Sequence, residues 1–183
     1  MSYYAALCEA MNLCAEAPNS IFLGQGVGVH GTSMSTSFDV IASEKRIEMP
    51  VCEDLQMGMA TGMALSGLLP ICIFPRWNFM ICAANQLVNH LDRLSLYSDG
   101  GYKPKVIIRV AVPSVDPFYP GPQHDDDFTQ AFRLMCRTIK IVTLRRTCEV
   151  VQQYKNALKR NGSTILVEFT EHYKDERRKE MQQ

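Results

Sequence analysis

The chain has no excess of charge of either sign. Lysine plus arginine equals aspartate plus glutamate, at 19 each among 183 residues. Proteins that bind nucleic acids or anionic membranes present concentrated basic charge, and the overall composition offers no sign of it. We therefore expect neither kind of partner. The length and the 46% hydrophobic content are typical of one globular domain.

The cysteines lack the spacing of a metal or redox site. There are seven of them, an odd number, with no C-x-x-C pair and no zinc-ligand pattern. Most lie in apolar stretches, so we interpret them as reduced core residues of a cytosolic protein. Residues 1–4 lack the basic segment that opens a signal peptide. The apolar run 57–74 is interrupted by glycines and a proline, which argues against a membrane-spanning helix.

Short apolar segments alternate along the chain with segments of helical periodicity. This alternation predicts an α/β fold, a single-domain three-layer sandwich in which helices cover both faces of a mostly parallel sheet. The domain is expected over residues 1–170, followed by a charged, solvated tail at 171–183. Strands are predicted at 21–23, 46–49, 70–74, 106–112, 139–143 and 163–169, and helices at 3–17, from Glu53 onwards, and at 79–97, 128–136 and 149–159.

The stretch 50–70 places one carboxylate, Glu53, at the start of a helix built from small and apolar residues. Gly58, Gly62 and Ser66 recur every four residues, so they share one face of this helix. Glycine lowers helix propensity, and such a face is kept where another backbone comes close. Glu53 has two interpretations at this point. It is either a first-turn acid that favours the helix dipole or a functional group at the mouth of an apolar helix.

Three features fall where predicted strands end: Glu53, the aromatic segment 75–79, and the loop 113–126, which contains His124. Ligands of parallel sheets bind beyond the carboxyl ends of the strands, so these features are expected on one side of the molecule. The glycine-rich segment 24–28 has no Lys-Ser/Thr pair and is not followed by a helical pattern. We interpret it as a conformationally permissive loop at a strand end.

In order and spacing, these features resemble the pyrimidine-binding domain of transketolase-like thiamine-diphosphate enzymes. The resemblance is strongest to the N-terminal half of the beta subunit of 2-oxoacid dehydrogenases, and it covers roughly residues 4–169. It is carried by residues 47–70, by 74–79 with the following NQLVNHL, by Gly100-Gly101, by Gln123-His124 and by Phe128.

The resemblance implies a role for three residues. In that family the acid at the position of Glu53 meets N1′ of the aminopyrimidine and favours the imino tautomer that removes the thiazolium C2 proton. Phe79 matches a ring that lies against the aminopyrimidine, and His124 matches a histidine that reaches the substrate. Without the resemblance, Phe79 would be read as a core phenylalanine and His124 as a loop residue that hydrogen-bonds locally.

Three consecutive acids, Asp125 to Asp127, depart from the more neutral residues of the family. They could bind a metal, repel anionic substrates or cap the helix that follows. Capping is the interpretation that requires the least, because aspartate is among the preferred residues at helix N-termini.

The chain lacks the Gly-Asp-Gly signature of the diphosphate-binding domain. The resemblance therefore implies that a separate subunit supplies the diphosphate site and Mg²⁺, in an α2β2-like assembly whose interface includes the glycine-rich helix. The implied activity is decarboxylation and acyl transfer on a 2-oxo acid. A split transketolase-type or deoxyxylulose-phosphate-synthase-type carboligase is an alternative, and Arg76 and Arg109 are the candidates to bind its sugar phosphate. A non-catalytic regulatory subunit and an unrelated small binding domain also remain open.

Overall fold

A computed structural model describes residues 1–114 and 121–173 of the chain. Within these residues, six strands form one sheet in the order β2-β1-β3-β4-β6-β5, and every neighbouring pair is parallel. The predicted α/β fold is thereby confirmed. The elements are α1 (Tyr3–Glu16), β1 (Ser20–Gly24), β2 (Arg46–Glu48), α2 (Glu53–Leu65), β3 (Leu69–Phe74), α3 (Trp77–Met80), α4 (Leu94–Tyr97), β4 (Ile107–Val112), α5 (Thr129–Met135), β5 (Lys140–Thr143), α6 (Thr147–Lys159) and β6 (Thr164–Phe169).

Two apolar cores lie on the two faces of the sheet. Helices α1 and α6 cover one face, with Phe22, Ile107 and Leu166 beneath them. Helices α2 and α5 and the segment around Trp77 cover the other face, which presents Leu23 and Ile108. Because both faces are covered, the central strands are apolar at almost every position, as in other all-parallel sheets. None of the helices in the described residues is long and apolar enough to cross a membrane.

The order of the strands creates a switch point between β1 and β3. The chain passes from β1 to β2 on one side and then returns to place β3 on the other side of β1. The connections that leave β1 and β3 therefore diverge above the sheet, and in open parallel sheets the ligand crevice lies at such a point of the carboxyl edge. The segments that follow β1, β2 and β3 border this crevice.

The prediction of one long, regular helix over 79–97 is wrong, because the segment is helical but irregular. Residues 77–97 consist of short helical pieces, with a 3₁₀ turn at Ile81–Ala83 and a π-helical stretch at Gln86–Leu91. In that stretch the Asp92 amide donates to the Leu87 carbonyl at 2.9 Å. The fully buried Asp92 carboxylate accepts hydrogen bonds from the backbone N–H groups of residues 137–139. These long-range contacts hold the chain at the end of the π stretch, and the apolar periodicity carries no trace of them.

The expectation that the cysteines are core residues is wrong for most of them. All seven are free thiols. An apolar neighbour does not place a cysteine in the core, because Val51 beside Cys52 is 79% exposed and Ile81 beside Cys82 is 46% exposed. Cys14 and Cys72 are buried, Cys8 and Cys136 are half-buried, and Cys52, Cys82 and Cys148 are exposed.

The residues that directly follow β6 are folded, although a solvated tail was predicted from Glu171 onwards. A 3₁₀ turn spans Thr170–Tyr173, and the Tyr173 ring is buried. Its hydroxyl donates to the Glu168 carboxylate. The rest of the predicted tail, 174–183, lies outside the described residues, as does the part 115–120 of the predicted loop.

A buried ion pair ties this turn to the centre of the sheet. Arg109 on β4 donates to both carboxylate oxygens of Glu168 on β6, at 2.8 and 2.9 Å. It also donates to the Ser37 hydroxyl at 2.6 Å and lies over the Phe38 ring. Neither charged side chain is exposed to solvent. One guanidinium therefore joins two strands and the segment 35–38.

We predict that Arg109→Met lowers the free energy of unfolding by about 3–5 kcal/mol, because it leaves the Glu168 carboxylate buried without a counter-charge. Urea unfolding monitored by circular dichroism measures the loss. Arg146→Met is the matched control, because Arg146 pairs with Glu149 at the surface and its removal should leave the midpoint unchanged. Equal effects of the two substitutions would contradict the prediction.

Candidate functional site at the carboxyl edge of the sheet

Glu53 lies in the first turn of α2, directly after the edge strand β2 and its connection. Its side chain is only 7% exposed. The Gln25 side-chain amide donates to one of its carboxylate oxygens at 3.1 Å. Gln25 follows β1, so this hydrogen bond joins the connections that leave two neighbouring strands. A buried acid at a helix N-terminus also experiences the favourable end of the helix dipole.

Phe79 and His124 are brought together, as their positions after β3 and β4 predicted. The two ring centroids are 5.4 Å apart and the ring planes are tilted by 54°. The His124 Nδ1 atom is buried and has no hydrogen-bond partner in the described residues. Within the described residues Glu53 makes no hydrogen bond to either residue, and its side-chain partner is Gln25. The predicted site residues thus form one contacting pair and one separately held carboxylate.

The acids beside His124 are used in local structure. Asp126 accepts a hydrogen bond from the Asn78 side chain at 2.8 Å, which fixes the loop to α3. Asp127 accepts from the backbone N–H of Thr129, the first residue of α5, at 2.9 Å. Asp127 thus satisfies a backbone N–H in the first turn of α5, as the capping interpretation expects, although Phe128 occupies the N-cap position itself. Among the described residues, no group of three or more acids, histidines and cysteines is arranged to hold a metal ion.

The two arginines proposed as sugar-phosphate ligands differ in availability. Arg109 is fully buried, and each of its three side-chain nitrogens donates to Glu168 or Ser37, so that part of the prediction is wrong. The sequence could not reveal this, because the partner carboxylate lies 59 residues further along the chain. Arg76 is half-buried at the end of β3, and its burial lowers the pKa of its guanidinium.

Sequence reasoning missed Gln56, which lies one turn after Glu53 on α2. Its side chain is fully buried, and its amide donates to the Ile73 carbonyl at 2.8 Å. The amide oxygen has no partner in the described part of the chain. A long polar side chain three residues after an acid, within an otherwise small and apolar run, is the signal that would have identified it.

The glycine-rich loop after β1 is held by Glu48, which the sequence analysis also missed. The Glu48 carboxylate accepts hydrogen bonds from the backbone N–H groups of Gly26, Gly28 and Val29, at 2.7, 2.6 and 3.1 Å. An anion could be bound by such a set of amides, but here a side chain of the same protein occupies them. As predicted, the loop depends on the dihedral angles open to glycine, since Gly26 has a φ of +74° that other residues rarely adopt.

The glycine-bearing face of α2 has no backbone packed against it within the described chain. A Cβ atom at Gly62 would meet no atom within 4 Å, and one at Gly58 would touch only the Gln86 side chain. Leu55 and Leu65 on the same helix are each 47% exposed. This face is therefore small, apolar and open to solvent.

Comparisons with known proteins agree with the predicted resemblance. No family model matches the chain. It is 32% identical to the pyruvate dehydrogenase E1 component subunit beta of Gracilaria tenuistipitata var. liui over 110 residues, which are 58% of this chain and 34% of the relative. It is 26% identical to the mitochondrial subunit beta of Homo sapiens over 167 residues, which are 89% of this chain and 46% of that one.

This chain is similar to E1 beta subunits over part of their length. The predicted resemblance to a transketolase-like pyrimidine-binding domain, near the beta subunit of 2-oxoacid dehydrogenases, is confirmed. The matched part spans about a third of the length of the relatives from Gracilaria and from Cyanidium caldarium.

Solved structures show the same fold. A split gene transketolase described as an inactive beta4 tetramer superposes with a TM-score of 0.66 at 18% identity, over 90% of this chain and 49% of the other. The transketolase from Campylobacter jejuni gives a TM-score of 0.69 at 17% identity, over 91% of this chain and 25% of that enzyme. At these sequence identities the likeness concerns the fold alone.

We predict that Glu48→Ala releases the loop 25–29. The amides of Gly26, Gly28 and Val29 lose their shared acceptor, so their hydrogen exchange should accelerate by about tenfold, the effect of losing one charge-assisted hydrogen bond. Amide exchange followed by NMR measures this directly. Glu44→Ala is the control, because Glu44 is exposed on the same connection and accepts no described hydrogen bond from these amides. Unchanged protection in Glu48→Ala would refute the assignment.

Proposed function

We propose that this chain is the pyrimidine-binding subunit of a two-chain thiamine-diphosphate enzyme that acts on a 2-oxo acid by decarboxylation and acyl transfer. The observation that carries the proposal is the buried Glu53 carboxylate at the switch-point crevice, in a chain related to E1 beta subunits. Glu53 and His124 are the proposed catalytic residues, and Glu53 and Phe79 the proposed cofactor-binding residues.

The residues around the crevice suit an aminopyrimidine ring. Such a ring has an apolar face and carries ring nitrogens and an amino group at its edge. The half-buried Phe79 offers an aromatic surface for the face. Glu53 offers a carboxylate for a ring nitrogen. The buried His124 Nδ1 and Gln56 Oε1 atoms have no hydrogen-bond partner among the described residues, so both are available to a ligand.

Glu53 would hold and return a proton at a ring nitrogen of the bound cofactor. A buried position keeps water from competing for that hydrogen bond, and the Gln25 amide fixes one carboxylate oxygen so that the other can face the ring. When bound, thiamine diphosphate supplies the nucleophilic carbon and the electron sink for cleavage next to a carbonyl. His124, in contact with Phe79, would meet the substrate from the β4 side.

A partner chain would complete the site. The described residues contain no cluster of acids suited to a metal ion, so Mg²⁺ and the diphosphate are assigned to a separate subunit in an α2β2-like assembly. The open face of α2 with Gly62, Leu55 and Leu65 is the proposed contact surface. A cytosolic location remains a prediction.

A split transketolase-type carboligase is the second candidate, favoured by the structural likeness to a split gene transketolase. Such an enzyme needs cationic side chains for a sugar phosphate. Of the two arginines nominated for that role, the ion pair with Glu168 removes Arg109 and leaves only Arg76. The geometry therefore supports a 2-oxo acid better.

We predict that Glu53→Gln abolishes activation of the cofactor, because an amide cannot exchange a proton with the pyrimidine nitrogen. The rate of C2 hydrogen–deuterium exchange of thiamine diphosphate in the assembled complex should fall by at least about 100-fold, the scale of a lost general acid–base. Asp54→Asn is the matched control, because Asp54 is the exposed next residue and bonds Gln86. Normal exchange in Glu53→Gln would remove the assigned role.

Calorimetry with thiamine diphosphate and Mg²⁺ tests the split site. Binding is expected for this chain together with its partner subunit and not for this chain alone, because each chain would hold one half of the cofactor. A non-catalytic role would be indicated if the pair bound nothing.

We predict that the isolated chain self-associates through the open face of α2, because association of two copies removes their exposed apolar surface from water. Leu55→Lys with Leu65→Lys should reduce the mass measured by light scattering at micromolar concentration. Leu134→Lys is the control, because Leu134 is 88% exposed and belongs to a different helix, α5. A clean monomer before any substitution would contradict the prediction.

A further inference from the structure

Gln25 is the one side chain with a described hydrogen bond to Glu53, and its amide nitrogen lies 3.1 Å from Oε1. We propose that Gln25 is the positioning residue of the site. By binding Oε1 it fixes the rotation of the carboxylate and leaves the other oxygen, Oε2, to face the ligand. The part of this inference that concerns a bound cofactor rests on the proposed function, whereas the contact between the two side chains does not.

The backbone that carries Gln25 has little freedom to move. Gly24, directly before it, has a φ of +156° and approaches β3 so closely that a Cβ atom there would lie 2.4 Å from the Ile73 carbonyl oxygen. Gly26, directly after it, has a φ of +74°, and a Cβ there would lie 2.8 Å from side-chain atoms of Thr32 and Ser35. Both neighbours of Gln25 are therefore positions that only glycine fills without strain.

Glu48 clamps the same loop from the other side. Its carboxylate accepts hydrogen bonds from the amides of Gly26, Gly28 and Val29. Glu48 is the last residue of β2, which pairs with β1 through the register Gly24↔Glu48. The strand that leads to Glu53 thus also holds the loop that presents Gln25. Both partners of the Gln25–Glu53 hydrogen bond are therefore positioned by the same pair of strands, β1 and β2.

The side-chain chemistry of Gln25 suits positioning and not proton transfer. A carboxamide donates a hydrogen bond to a carboxylate without carrying charge and without titrating. It therefore stabilises one orientation of Glu53 while adding no competing acid next to it. A hydrogen bond to a charged group is worth about 1.5–3 kcal/mol, which corresponds to roughly 10- to 100-fold in a rate that depends on that orientation.

The contact itself is tested on the full chain without cofactor. In ¹H–¹⁵N spectra of side-chain amides, the Gln25 NH₂ pair is identified by its absence in Gln25→Met, a substitution that keeps the length and removes the donor. We expect this pair to shift in Glu53→Ala and to stay in place in Asp54→Ala. An unmoved Gln25 signal in Glu53→Ala overturns the inference, whatever the function of the chain.

The positioning role is tested in the complex with the partner subunit. We expect Gln25→Met to slow C2 hydrogen–deuterium exchange of thiamine diphosphate by at least about tenfold and to change its Kd by less than about threefold, because orientation and not affinity is lost. Gln130→Met, at an exposed position on α5, is the control and should change neither. Exchange at the original rate in Gln25→Met overturns the role. If the unaltered complex binds no cofactor while the Gln25 signal does respond to Glu53→Ala, the proposed function fails and the contact stands.

Discussion

The parallel pairing of all six strands is the constraint on which the rest of the molecule depends. Parallel strands end at one edge, so every segment that follows a strand begins on the same side of the protein. That is why Gln25, Glu53, Phe79 and His124, which come from widely separated parts of the chain, are gathered above one sheet. The reversal of strand order between β1 and β3 then decides where along that edge the crevice lies.

The sequence predicted the fold well because its signals are local and repeated. Strands such as Ile107–Val112, buried on both faces, are nearly continuous β-branched runs, and the helix that begins at Glu53 follows its strand after a short connection. The expectations that were wrong involve contacts between distant residues. Arg109 was predicted to bind a ligand because the hydrophobic pattern does not reveal its partner, Glu168. The helix over 79–97 was predicted to be regular because the residues around Asp92 give no sign of its tertiary hydrogen bonds.

The candidate site was predicted in part, and the missing part has a physical cause. Residue types that carry chemistry, such as Glu53 and His124, stand out against an apolar background. The residues that hold them in place do not stand out, because a glutamine after a strand or a glutamate at the end of an edge strand is unremarkable in any sequence. Only the pairing of β1 with β2 shows that Glu48 and Gln25 act on the same loop.

The π-helical stretch at Gln86–Leu91 has a consequence for how this chain can vary. A π turn contains about one residue more than an α turn, so it accommodates that residue within the turn. In a regular α-helix an extra residue would instead rotate the part after it by about 100° relative to the part before it. The Phe79 ring lies before the π stretch and the buried Leu91 lies after it, and the π turn allows both to keep the directions that an α-helix one residue shorter would give them. This segment can therefore lose one residue by returning to α-helical geometry, whereas the same deletion inside a regular helix such as α6 would rotate one half of its buried face away from the sheet.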